Sequence, residues 1–166
     1  MTNRNFRRYS FSLKVYSKCL VIFSGQITYA QVTKTQGQTE SGAFNTIALP
    51  DGRQARDGLD IWNHCHTQKD PKPNPSLRLL ESIVLGQGFA LAASSFNQTG
   101  WAVFSSHIDN QQLYEKFVEL YQTPEKFYIQ GTSMGGIVSL RDLEADLIPN
   151  LSGALLMSGA VGGADN

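Results

Sequence analysis

The sequence predicts an α/β fold built on a parallel sheet, and three observations carry that prediction. From residue 43 onward, short β-prone apolar runs alternate with longer amphipathic runs, the pattern that strands joined by crossover helices produce. Turn signals rich in Gly, Pro, Asn and Asp separate the runs. One strand-like run, Lys126–Gln130, passes directly into Gly131-Thr132-Ser133-Met134-Gly135 and then into a helix-like run, so strand, tight turn and helix follow without a loop.

The elements can be justified in order. Residues 1–30 have the layout of a secretory signal peptide. Arg4, Arg7, Arg8, Lys14 and Lys18 precede the apolar stretch Cys19–Phe23, and Ile27–Ala30 offers small residues at the cleavage positions. The expectation is a secreted or periplasmic protein, or a cytoplasmic one if the segment is instead an N-terminal extension. Cys19 lies before the apolar stretch and beside Lys18, which argues against a lipoprotein anchor. No run approaches the roughly twenty apolar residues of a membrane span. Residues 31–42, rich in Gln, Thr, Gly and Ser, read as a flexible, solvated leader into the domain over 43–166.

Ala43–Leu49 is the first strand candidate, closed by Pro50-Asp51-Gly52, and Asp60–Asn63 is the second, running into His64-Cys65-His66. A loop containing Pro71, Pro73 and Pro75 leads to Ser76, a helix N-cap, and a helix over 77–85 that Gly86 and Gly88 stop. Phe89–Ser95 is a buried-type strand, followed by a turn at Asn97–Gly100 and by Trp101–Phe104. Residues 107–121 form a helix with Leu113, Phe117 and Leu120 along one side. After strand 126–130 and the turn, Ile137, Leu140, Leu143 and Leu147 recur as one face of a helix, and Leu151–Met157 is the last strand.

Composition narrows the function classes. A hydrophobic content of 41% against 17% charge describes a folded domain, and 166 residues suffice for one core. The formal net charge is zero and no basic block occurs, so nucleic acid is not an expected partner. Cys65 would be unpaired once Cys19 is removed, so no disulfide framework is expected. Neither a metal nor a cofactor is called for: the alternating His64-x-His66 has no third ligand in view, and a loop histidine that bonds backbone is the plainer reading. Trp101 could line a substrate pocket or simply pack.

Gly131-x-Ser133-x-Gly135 in its strand–turn–helix setting reads as a nucleophile elbow. Only small residues two positions either side of the serine let the turn be sharp enough to lift its hydroxyl clear of the sheet. With Gly88–Ser95, Gly100–Val103 and the closing Gly153–Gly163, this segment resembles the central part of secreted α/β-hydrolases of the esterase and peptidase kind, over roughly half the chain. The resemblance implies a partial, doubly wound and mostly parallel α/β-hydrolase-type sheet, a serine nucleophile at Ser133, an acyl-enzyme, and a small-molecule ester or peptide-like substrate. It also implies an oxyanion hole formed by the N–H of Met134 and one from the loop after Asn63. There the family commonly has His-Gly, whereas this chain has His64-Cys65, so the donor would be Cys65.

In that family the acid and histidine follow the nucleophile in the chain. Here His64, His66 and His107 all precede Ser133, and about thirty residues follow it. Asp142, Glu144 and Asp146 read as the solvated face of the helix after the elbow, and Asp165 has no histidine after it. The expectation is therefore an incomplete hydrolase domain with its acid and base beyond Asn166. A non-catalytic relative serving as a binding module is an alternative, and a base recruited from His107 or a partner chain is another.

Overall fold

The computed structural model describes residues 20–23, 26–29, 32–52, 58–67, 75–77, 80–146 and 148–159. A six-stranded sheet runs in the order β3 (Val32–Gln38), β4 (Phe44–Pro50), β6 (Ala90–Ser94), β5 (Leu59–Asn63), β7 (Phe127–Thr132), β8 (Leu151–Met157). The pairs β5–β6, β5–β7 and β7–β8 are parallel, while β3–β4 and β4–β6 are antiparallel. A separate pair, β1 (Leu20–Phe23) and β2 (Gln26–Tyr29), is antiparallel. The predicted α/β class with a mostly parallel core is what forms.

Helices connect the parallel strands: α1 (Leu80–Gly86), α2 (Ser106–Tyr121) and α3 (Met134–Ala145). Strand alternation sends β5 side chains to both faces. Leu59 and Ile61 join Ile47, Ala92, Phe127 and Ile129 against Leu113, Tyr114 and Phe117 of α2. Trp62 goes to the other face, with Ala48, Leu91 and Ala93 against Leu77 and Leu85 at α1. Both faces of the central strands are thus apolar, as a doubly wound sheet requires. The chain passes from β5 to β6 on one side, then back across to β7 on the other, so the carboxyl ends of β5 and β7 flank the reversal.

Three expectations change. Val32–Gln38, read as a flexible leader, is an ordered edge strand paired along its whole length with β4. Its mostly exposed side chains hid it, because an edge strand with polar residues on both sides lacks alternation. Leu120 is exposed, so α2 packs through Leu113, Tyr114 and Phe117 instead. The buried face of α3 is Met134, Gly135, Val138, Ser139 and Asp142, while Leu143 is 41% exposed. Leu147 lies outside the described residues. The helix packs so closely on the backbone that small and polar residues, not leucines, fit beneath it. Trp101–Phe104, for which the sequence predicts no element, contains a single 3-10 turn over Ala102–Phe104. Residues 78–79 of the helix expected over 77–85 lie outside the described residues, and the described helix spans Leu80–Gly86.

Candidate active site

Ser133 stands between β7 and α3 at φ 57°, ψ −121°, and its side chain is exposed. Those angles belong to the first central residue of a type II′ turn, a region that residues with a Cβ enter only under strain of order 1–3 kcal/mol. The surroundings hold it there. Its N–H donates to Met157 O on β8 at 2.9 Å, and its carbonyl accepts from Gly136 N at 2.9 Å to begin α3. Its hydroxyl makes no capping bond to the helix it precedes. The side chain is therefore free to project while the backbone is fixed.

The flanking glycines are required by contact distance. A Cβ on Gly131 would lie 2.1 Å from Gly135 O, and one on Gly135 would lie 2.1 Å from Asn63 O and 2.8 Å from His64 O. Gly136 is also crowded, at 3.0 Å from Gly159 Cα. The glycine spacing thus lets the first turn of α3 press against both its own strand and the loop leaving β5.

That loop carries His64, Cys65 and His66, and the carbonyls of Asn63 and His64 face Gly135 in the first turn of α3. The N–H groups of Met134 and Gly135 lie at the positive end of α3 and have no intrahelical acceptor. Cys65 is a half-buried free thiol. The His64 ring is held by backbone: Nδ1 lies 2.6 Å from Cys65 O and Nε2 3.3 Å from Ser95 O. It also stacks on Phe96 at 4.5 Å between centroids. Among the described residues, no hydrogen bond joins Ser133 to a histidine.

Beneath the elbow lies a polar cluster that periodicity did not reveal. Asn63 Nδ2 donates to Ser139 Oγ at 2.9 Å and to Asp142 Oδ2 at 3.2 Å. Asn110 Nδ2 donates to Asn63 Oδ1 at 2.8 Å and to Asp142 Oδ2 at 2.7 Å, and Ser139 Oγ donates to Gly135 O at 2.9 Å. Asp142, read as solvated, is 2% exposed. Burial pushes its carboxyl up to about 7 against the two amide hydrogen bonds, which favour the charged form. The available signal was Gly135, Ser139 and Asp142 at steps of four and three, a polar stripe on one helix face. Glu144 and Asp146 are exposed as expected.

A second carboxyl anchors the loop after β6. Asp109, fully buried on α2, accepts from Ser41 Oγ at 2.5 Å and from the Asn97 N–H at 2.9 Å. Burial raises its pKa, with both hydrogen bonds and the nearby His107 opposing. The anchored segment holds Phe96 at φ 54°, fully buried with Ala102, Met134 and Val138. Trp101, by contrast, is 58% exposed, so it is not core packing.

No family model and no curated protein matches the chain. Among solved structures, the esterase Pf2001 of Pyrococcus furiosus superposes with a TM-score of 0.58 at 16% identity, over 78% of this chain and 52% of its own. The fold is that of the α/β-hydrolases. A mutant of the esterase rPPE matches at TM-score 0.56 and 17% identity, over 79% of this chain and 44% of its own. Oligopeptidase B of Leishmania major matches at TM-score 0.53 and 14% identity, over 75% and 19%. The chain spans about half the length of the esterases it matches. Among the described residues no helix is long and apolar enough to cross a membrane.

Proposed function

We propose that this α/β-hydrolase domain carries the nucleophile of a serine hydrolase acting on small ester or amide substrates. The observation that carries the reading is Ser133: an exposed serine in a strained backbone conformation, with glycines on both sides where backbone leaves no room for a Cβ. Strain of this kind is kept where it positions a reacting group.

In the reaction, Ser133 Oγ attacks the substrate carbonyl carbon and gives up its proton to a base. The carbonyl electron pair moves onto oxygen, where the N–H groups of Met134 and Cys65 receive it, aided by the positive end of α3. Collapse of that intermediate expels the alcohol or amine with a proton and leaves the acyl group on Ser133. Water then releases it as the carboxylic acid. His64 faces backbone carbonyls at 2.6 and 3.3 Å, so the reading assigns the base to a further segment, to His107 or to a partner chain. The backbone hold on His64 favours a second reading, a non-catalytic binding module. The basic–apolar–small pattern of residues 1–30 supports export as part of the proposal; N-terminal sequencing of the protein recovered outside the cytoplasm would find the first thirty residues missing.

A fluorophosphonate probe tests the enzyme reading directly. Labelling of cooperatively folded protein that vanishes in Ser133→Ala is the expected result. A folded sample that takes no label leaves the binding module.

A further inference from the structure

We propose that His66 and Trp101 form an aromatic shelf beside Ser133 that takes a neutral, planar aromatic ring of the substrate, in its acyl or its leaving group. The inference rests on Ser133 being the nucleophile and adds the substrate class. The two rings meet at 5.4 Å between centroids with their planes 52° apart. They come from different loops that the backbone ties together: Thr67 and Gly100 form a bridge in which Gly100 N donates to Thr67 O at 2.7 Å.

Trp101 is pinned on both sides. Gly100 is fixed to the loop that leaves β5, and Ala102 is buried in the cluster that contains Met134, the residue after the nucleophile. His66 lies two residues beyond His64, whose carbonyl presses on Gly135. Yet the indole between these anchors stays 58% exposed. A large aromatic side chain with a fixed backbone and an open face is how binding sites present an anchor, because little conformational entropy remains to be lost when a ligand seats.

Charge points to a neutral ring. Residues 63–67, 96–108 and 131–140 contain no Lys, Arg, Asp or Glu, and the carboxyls hydrogen-bonded to them, Asp109 and Asp142, are buried, so among the described residues these segments expose no ionic partner. Aromatic rings pair edge-to-face or offset-stacked in preference to packing an alkyl chain, and a tilted pair of rings leaves such a position open.

The test uses the chain's two tryptophans, Trp62 at 6% exposure and Trp101 at 58%. In Ser133→Ala, benzyl acetate should shield Trp101 from acrylamide quenching and shift its emission to the blue, while cyclohexylmethyl acetate should do so only at higher concentration. In the wild-type chain, a phenyl-bearing phosphonate should label Ser133 roughly three- to tenfold faster than its cyclohexyl counterpart, and Trp101→Ala should bring that ratio towards one. His66→Ala should lower the ratio part of the way. Labelling with no aryl preference and no shielding of Trp101 overturns the shelf. So does a Trp101 already shielded in the free protein in a concentration-dependent way, which would make it a contact between copies. Shielding without any labelling keeps the shelf and removes the hydrolase reading.

Discussion

Ser133 pays for its position in backbone strain, and its neighbours enforce it. Replacing it separates chemistry from conformation. Ser133→Ala removes the nucleophile and keeps the strain, whereas Ser133→Gly removes both. Thermal melts should therefore place Ser133→Gly about 1 kcal/mol above Ser133→Ala in stability, with neither variant taking a fluorophosphonate. Gly131→Ala and Gly135→Ala drive a methyl into backbone at 2.1 Å, which cannot be relieved by a side chain turning away. Each should cost about 3 kcal/mol or more by chemical denaturation, and any folded remainder should label slowly. Gly136→Ala meets its neighbour at 3.0 Å and should cost less. These residues were legible in the sequence because a glycine–serine spacing is a local signal. Trp101 was not, since its identity is compatible with packing or exposure and only its surroundings decide.

At the level of elements, α3 shows where periodicity misleads. Ile137, Leu140, Leu143 and Leu147 predict one helix face, but the sheet receives Val138, Ser139 and Asp142. Val138→Ala should destabilise by about 2 kcal/mol and Leu143→Ala by less than about 0.5 kcal/mol in urea unfolding, the reverse of the sequence expectation. The reason is close approach: Gly135 and Gly136 bring the helix axis so near the backbone that bulky side chains are pushed to the flanks. Asn63, Asn110 and Ser139 then hydrogen-bond one another and Asp142 Oδ2 where a leucine core would otherwise sit, leaving Asn110 Oδ1 and Asp142 Oδ1 without partners among the described residues. Strands β4 to β8 were legible from composition and turn residues. The edge strand β3 was not, because its polar side chains carry no period and its pairing with β4 is a non-local choice.

For the whole molecule, buried carboxyls set the response to pH. Asp60 and Asp142 are both raised by burial from 3.8 to about 7, the first opposed by a hydrogen bond from Gln130 and the second by Asn110 and Asn63. Between about pH 4 and pH 7 the unfolded chain releases these protons while the folded protein retains them. Stability is then fully present below that window and is lost as pH rises through it. Melting temperature should fall from pH 4 to pH 7 and level off above. Asp142→Asn keeps an acceptor for both amides and cannot ionise, so it should flatten the slope and raise stability at pH 8, by an amount on the order of a few kcal/mol. A slope identical to the wild type would show that Asp142 does not hold its proton.

By itself the sequence determined the α/β class, the order of the central strands and helices along the chain, and the glycine–serine turn at 131–135. Each of these is written in neighbouring residues through alternation, turn chemistry and the room that glycine leaves. Tertiary structure alone decided that Val32–Gln38 is a strand, that Asp142 is buried, and that the loops after β5 and β6 are bridged, with Trp101 against His66. Those outcomes depend on which backbone passes within a few ångströms of which. Burial, pairing and proton affinity are properties of that packing, and no run of adjacent residues encodes them.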